Sequence, residues 1–274
     1  MNKNTQPKVS IVIPTYNGSR YIEKTIRSVI EQTYENIELI VIDDCSTDNT
    51  IQIVNSLKQQ LKNNFTVIMN EQNSGLMKTN NYAAQACTGD YLMILGHDDL
   101  LAKDHVSEML SKFDRETVML WCNSFVIDKN DDVVFLSLKP YLQKIKNLLV
   151  KPLLYQANFI SSTGALIKAD AFKAVNGFDE NFLHFGEWSL WIKLASIGEI
   201  KFVDQPISFY RRHDLNMTSA SNMDKAKTEL SLFYNFCSNL AVSQLKLRFF
   251  EKLFLSLYKA FLSTKKFLKI STGK

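Results

Sequence analysis

Four short runs of β-branched and other apolar residues, separated by helical apolar spacing, dominate the first hundred positions and set what the chain can fold into. Residues 9–13 (Val9-Ser-Ile-Val-Ile13), 37–42, 65–69 and 91–95 read as buried strands. Between them, residues 20–32 carry Ile22, Ile26, Val29 and Ile30 at helical spacing, and residues 51–61 and 76–87 also read as helices. This alternation predicts an α/β fold, a mostly parallel sheet with helices on both faces. In such sheets the crossovers are right-handed and ligands collect beyond the carboxyl ends of the strands. Those ends carry Tyr16-Asn17, Asp43-Asp44 and Asp98-Asp99, so four carboxylates converge on one crevice.

The second half is less regular. Residues 118–127 and 133–138 read as strands around a turn at Asn130-Asp131, residues 162–168 as another strand, and residues 188–195 as a helix buried by Leu190, Trp191 and Leu194. Residues 200–203 and 207–210 close the folded body, and from Met223 onward the pattern is helical. The 274 residues suffice for a large core, and four cysteines with no CxxC pair argue against a disulfide framework or a thiolate zinc site. The polar start is not a signal peptide, and no run reaches the roughly 18 apolar residues of a spanning helix. These features predict a cytoplasmic protein, or one peripheral at the inner face of the cell membrane. Charge is unevenly spread: from Ala241 eight basic side chains face one acidic, a net of +7, whereas the other 240 residues, with 24 basic and 27 acidic, sum to −3. No nucleic-acid module is recognisable, so nucleic acid is not an expected partner.

Two Asp pairs at two strand ends of one sheet need compensation by positive charge, and a divalent cation, Mn²⁺ or Mg²⁺, suits carboxylate oxygens. Alternatively, each pair supplies helix caps, with Asp44 to Asp48 opening the helix at 51 and Asp98-Asp99 the one after it.

Taken in order, Val9-Ser-Ile-Val-Ile-Pro-Thr-Tyr-Asn17, Ser28-Val-Ile-Glu-Gln-Thr-Tyr34 and Glu38-Leu-Ile-Val-Ile-Asp-Asp-Cys-Ser-Thr-Asp48 closely resemble the opening of family 2 glycosyltransferases. Asn73-Ser-Gly75, Thr88-Gly-Asp-Tyr91, Asp98-Asp99, Gly177-Phe-Asp-Glu180 and Tyr210-Arg-Arg-His213 continue the likeness over roughly residues 8–215. The resemblance implies a GT-A, Rossmann-like fold and inverting transfer of a sugar from a nucleoside diphosphate-sugar, UDP- or dTDP-linked, to a glycan or lipid-linked acceptor in surface polysaccharide synthesis. It implies a glycosyltransferase domain over 1–222, with a nucleotide-binding half (8–100) and an acceptor half (101–222), followed by a helical extension over 223–274.

On this resemblance Pro14, Thr15 and Tyr16 hold the nucleotide base, Asp44 accepts a pyrimidine N–H, and Asp43 supports the loop. Asp99 is the expected direct metal ligand and Asp98 lies nearer the ribose or sugar. Arg211, Arg212 and His213 sit over the diphosphate, His213 as a phosphate or metal contact. In Phe185-Gly-Glu-Trp-Ser-Leu-Trp191, Glu187 takes the position of the general base, and a partly apolar setting would raise its pKa usefully. Gly164 and Trp188 fall on the acceptor side, Trp188 as a sugar platform or as a core residue.

The chain departs from its relatives at three places. Gly96 stands two residues before the Asp pair where an Asp is common, Asn80 precedes Asn81 where an Arg is common, and Gly186 replaces the first acid of an acidic pair. Lys78 offers a substitute for the missing positive charge. These departures motivate an alternative, a degenerate nucleotide-sugar-binding or scaffold protein. A sugar-phosphate nucleotidyltransferase fits less well, because Pro14-Thr-Tyr-Asn-Gly18 is not a Gly-rich phosphate loop. The basic tail helix, about 244–268, has Phe250, Phe254, Leu257, Tyr258 and Phe261 on one stripe. That stripe suits either packing on the domain or on a second copy in a homodimer, or contact with an anionic membrane.

Overall fold

The computed structural model describes residues 6–60, 64–137, 150–154, 158–214, 216, 229, 232 and 233. Strands β1 (Val9–Thr15), β2 (Ile37–Asp43), β3 (Phe65–Met69) and β4 (Tyr91–Ile94) alternate with helices α1 (Ile22–Ile30), α2 (Thr50–Gln60) and α3 (Leu76–Gln85). Then come β5 (Leu100–Leu101), α4 (His105–Ser111), β6 (Thr117–Ile127), β7 (Val133–Leu136) and α5 (Val150–Leu154). The last elements are β8 (Leu166–Lys168), α6 (Ala169–Ala174), α7 (Gly186–Ile197) and β9 (Glu199–Arg211).

All nine strands form one sheet in the order β3-β2-β1-β4-β8-β6-β9-β5, with β7 paired to β6. β1 is central and parallel to both neighbours, its Val9 matched to Ile37 on β2 and to Tyr91 on β4. Every β1 side chain is buried, as a strand covered on both faces requires. Its residues alternate between two cores. Val12 joins Ile40, Ile42 and Leu92 under α3, α6 and α7, while Ile11 and Ile13 join Val41 and Met93 under α1, α2 and α4. In α1, Ile22, Ile26 and Val29 point inward, and Glu23 and Arg27 pair on the solvent side. β8 runs antiparallel to β4 and β6, and β6 is parallel to β9. The sheet is thus mixed and mostly parallel.

Local chemistry accounts for where the elements differ from the sequence reading. The strand expected over 162–168 shrinks to Leu166–Lys168 because Gly164 takes φ +76° and Ala165 N–H closes a turn on the Ser162 carbonyl. The two runs expected at 200–203 and 207–210 form one strand, and the register shift around Asn123 falls where it faces Pro206, which has no N–H to donate. α4, α5, α6 and β5 are short elements that periodicity did not separate from loops. The predicted tail helix at 244–268 lies outside the described residues.

Beneath β1 and β2, at the end of the sheet opposite the crevice, Glu38 is a buried carboxylate with a full complement of donors. It accepts hydrogen bonds from Ser10 Oγ, from Thr88 N and Oγ1 (2.5 and 2.8 Å) and from Gly89 N (3.1 Å), and pairs with Lys8 at 2.8 Å. Burial alone would raise its pKa, but these donors outweigh burial and hold it at about 2. The carboxylate therefore stabilises the fold above its ordinary value of 4.5, and that contribution fades as pH falls toward about 2. Glu38→Gln is expected to lose about 2 kcal/mol at pH 7, with the gap to wild type closing at acid pH; urea unfolding at pH 7 and pH 2 measures both.

Candidate active site

The crevice forms where β1, β2 and β4 end side by side, and the first two loops are stitched together by side chains. Asn17 N–H donates to Ser46 Oγ (2.8 Å), Gly18 N–H to Thr50 Oγ1 (2.9 Å), and Thr47 N–H to Asn17 Oδ1 (2.9 Å). Asp43 accepts from Ser46 N (2.8 Å), the loop-supporting role expected of it. Gly18 permits a close approach, since a Cβ there would lie 2.6 Å from Thr15 Oγ1 and 2.8 Å from the His97 ring. Pro14 and Thr15 are buried at the end of β1, whereas the Tyr16 ring stands 47% exposed at the mouth.

Asp44 is buried and works as a cap for α3, a helix with no cap of its own. Its Oδ1 accepts from Asn70 Nδ2 and Ser74 N, both at 2.8 Å, and its Oδ2 from Gly75 N at 2.9 Å. Burial would raise its pKa, but the donors outweigh it and hold the acid ionised below its ordinary range. Thr79 adds a further side-chain hydrogen bond to the same carboxylate.

The second Asp pair divides into a buried member and a facing member. Asp99 is 5% exposed; its Oδ2 accepts from Thr163 Oγ1 (2.7 Å) and its Oδ1 from Arg211 N (2.9 Å). Burial first, and the Asp98 charge second, push its pKa well up. Both its oxygens are engaged, one holding the Thr163 loop and the other the end of β9. Asp98 instead meets His213 Nε2 at 2.9 Å and Asn216 Nδ2 at 3.1 Å. Burial opposes its ionisation, but His213 and the nearby His97 hold its pKa below the ordinary value. Gly96 makes room for it, because a Cβ at 96 would come within 2.9 Å of Asp98 Oδ1. An acid at 96 would thus compete for the space that the Asp98 carboxylate fills.

Arg211, expected over the diphosphate, is fully buried instead. Its Nε donates to the Asp98 carbonyl (2.8 Å), its Nη1 to the Asp128 carbonyl (2.9 Å), and its Nη2 lies 2.5 Å from Asp131 Oδ1. It packs 4.6 Å from the centroid of the Tyr21 ring, which stacks on His213 at 5.1 Å. Arg212 is the exposed member of the pair.

Glu187 opens α7, with its carboxyl beside Ser162 and close enough to Asp99 to raise that acid's pKa. Burial pushes Glu187 itself above its ordinary value, and the Ser162 hydrogen bond offsets part of this. Gly186 lies against α3, where a Cβ would meet Met77 Sδ at 2.2 Å, so Met77 fills the space of the missing acid. Loop 161–164 joins the two carboxylate groups: Ser162 touches Glu187, Thr163 touches Asp99, and Gly164 O lies 2.8 Å from His105 Nε2.

Four further expected residues serve chiefly the packing around this cluster or line its flank. Asn81 clamps Phe178 through its N–H (2.8 Å) and carbonyl (3.0 Å), and donates to Glu180 (2.9 Å), so its amide serves the loop before α7. With exposed Lys78, Asn81 lines a cavity of about 210 Å³ beside Asn70, Ser74 and Tyr82. Gly164 packs on the His105 ring, and a Cβ there would approach within 2.3 Å. Trp188 is partly buried against the core, its Nε1 donating to the Leu154 carbonyl (2.7 Å) and its ring lying against Phe233. Sequence reasoning missed Tyr21, Thr163 and Ser162 as individual residues. Each acts through a neighbour distant in the chain, which local spacing cannot reveal.

Residues 10–175 match the family described as glycosyl transferase family 2. The chain belongs to that family. An uncharacterized glycosyltransferase of Rickettsia typhi is 31% identical over 228 residues, 81% of this chain and 69% of the relative. Among solved structures, the fold is shared with Staphylococcus aureus TarS 1–349 in complex with UDP-GlcNAc (TM-score 0.65, 20% identity), covering 89% of this chain and 77% of that one. A mannosyltransferase of Pyrobaculum calidifontis, in complex with GDP-Man and Mn²⁺, matches with a TM-score of 0.63 at 17% identity, covering 98% and 84%. The family 2 chain is a glycosyltransferase, an enzyme that transfers a sugar from a nucleotide-sugar. Among the described residues, no helix is long and apolar enough to cross a membrane.

The burial of Arg211 separates its role from that of Arg212. Arg211→Lys, which loses the fork and leaves the Asp98 and Asp128 carbonyls without their shared partner, is expected to cost about 3 kcal/mol in urea unfolding. Arg212→Ala is expected to shift stability by less than about 0.5 kcal/mol.

Proposed function

We propose that this glycosyltransferase is an inverting, metal-assisted enzyme that moves a sugar from a UDP- or dTDP-sugar to a hydroxyl of a glycan or lipid-linked acceptor in surface polysaccharide synthesis. The observation that carries the reading is Glu187: a desolvated carboxyl at the start of α7, joined to the Asp98–Asp99 end of the crevice by loop 161–164.

The exposed Tyr16 ring offers a face to the base, and the Asp44 carboxylate, held ionised at the crevice, accepts a ring N–H. Asp98 and His213, a carboxylate oxygen and an imidazole nitrogen 2.9 Å apart, fit one side of a divalent cation's shell. No third His, Cys, Asp or Glu completes a cage among the described residues, which leaves the remaining positions to water and phosphate oxygens. This exchanges the roles first expected for the two acids, Asp98 facing the cation and Asp99 holding the loop. Bound there, Mn²⁺ or Mg²⁺ would supply Lewis-acid neutralisation of the leaving diphosphate. Arg212 is the exposed cation nearest that group in sequence, while Arg211 fixes the loop beneath it.

On the acceptor side, Glu187 takes the proton of the attacking hydroxyl as its oxygen bonds to the anomeric carbon and the bond from that carbon to the diphosphate oxygen breaks. Its raised pKa makes it a stronger base than an exposed Glu, and Ser162 orients it. The basic, Phe-rich stripe after residue 241 supports an acceptor presented at an anionic membrane surface.

Calorimetric titration with UDP, dTDP and GDP, each with and without Mn²⁺, tests the donor half. One nucleotide is expected to bind tightly only with metal present and Asp98 intact, so that Asp98→Asn loses the metal-dependent binding; binding of none by folded protein would overturn the reading. Glu187→Gln is expected to lower kcat by about a hundred- to ten-thousandfold with nucleotide affinity intact. Because the base works only when ionised, wild-type kcat/KM should climb with pH through a value above the ordinary Glu range and then level off, an acid limb that stopped-time assays of nucleoside diphosphate release would trace.

A further inference from the structure

The start of α7 is not fixed by its own sequence. Its N-cap is Phe185, which makes no side-chain cap bond, so the orphan N–H groups and the direction of the first turn depend on outside contacts. Two come from the body of the domain: Met77 against Gly186, and the Leu154 carbonyl on Trp188 Nε1. The others come from beyond the last strand. The Glu229 carboxylate accepts from Leu183 N (3.1 Å) and His184 N (2.9 Å), and meets His184 Nδ1 at 3.0 Å. Phe233 is 1% exposed and packs on three rings that flank the helix start. It stacks on Phe185 at 4.9 Å, tilts on Trp188 at 4.5 Å and meets Phe182 edge-on at 5.8 Å.

We infer that Glu229 and Phe233 are positioning residues for transfer: they clamp residues 182–188 and so aim Glu187 at the acceptor hydroxyl. The inference rests on the reading of Glu187 as the base. The polar contact fixes the backbone at 183–184, and the aromatic contact fixes the helix at 185 and 188, one on either side of Gly186-Glu187. A glycine at 186, with its wide conformational choice, makes the outside restraint more consequential. The segment carrying Glu229 and Phe233 then belongs to the catalytic unit, whatever the residues after it do.

The test compares wild type, Glu229→Ala, Phe233→Ala, Phe233→Leu and Glu187→Gln in the full chain. The probes are UDP-GlcNAc and GDP-Man with Mn²⁺, read as nucleoside diphosphate release, beside amide hydrogen exchange. Glu229→Ala and Phe233→Ala are expected to lower kcat about tenfold or more with KM for the donor and nucleotide affinity unchanged, and Phe233→Leu to recover much of the loss. Exchange across residues 182–190 should quicken about tenfold in the two alanine variants, with β1 and β2 unaffected. Unchanged exchange at 182–190, or unchanged kcat, overturns the inference, as does a parallel loss of nucleotide affinity and global stability. Should Phe233→Ala not fold, Glu229→Ala and Phe233→Leu decide on the same criteria. Loss of turnover in Glu187→Gln with normal clamp variants overturns this inference alone. Normal turnover in Glu187→Gln overturns the base reading and this inference with it.

Discussion

A single buried guanidinium organises the crevice. Arg211 ends β9 with no exposure to water, and a charge in that position is tolerable only when its donors are met. Two donors reach the Asp98 and Asp128 carbonyls and the Asp131 carboxylate balances the charge, three groups from the β4 loop and the β6–β7 turn, while Nη2 lies close to Asp131 without a well-aligned hydrogen bond. Its own N–H holds Asp99. Lys24 of α1 reaches the same Asp131, so helix, turn and strand end are drawn to one place. Without that convergence Asp98 and His213, 115 positions apart, would have no reason to meet.

Around this hub the acidic residues divide their labour by access to water. Asp43, Asp44 and Asp99 face inward and collect N–H and O–H donors, which makes them parts of loops and helix starts. Asp98 keeps the more open position beside two imidazoles. The capping and loop-holding reading of the Asp pairs thus describes Asp43, Asp44 and Asp99, and only in the second pair do the two members divide, with Asp99 securing the backbone beside the more open Asp98.

The first hundred residues were legible because β1 and β2 are buried on both faces and α1 shows one apolar stripe, so local periodicity and tertiary structure agree. β3 was read to the residue, and β1, β2 and α3 to within two at either end. The second half resisted for the opposite reason. β9 carries Pro206 and a register shift, β8 is three residues long, and α6 has six, so long-range pairing rather than pattern decides them. Among site residues, the types and the crevice were visible, and the partition between facing and buried was not. Nothing local in Tyr210-Arg-Arg-His213 says that the first Arg turns inward and the second outward. The strand alternation that sends them to opposite faces becomes informative only once β9 is known to run through Arg211.

The contact between Gly186 and Met77 links two helices that are far apart in sequence and close in the core. It also makes the two positions answer to each other. A side chain at 186 requires the Met77 thioether to swing aside, a movement open to so flexible a residue, so the volume at 77 and the length of the side chain at 186 are set together.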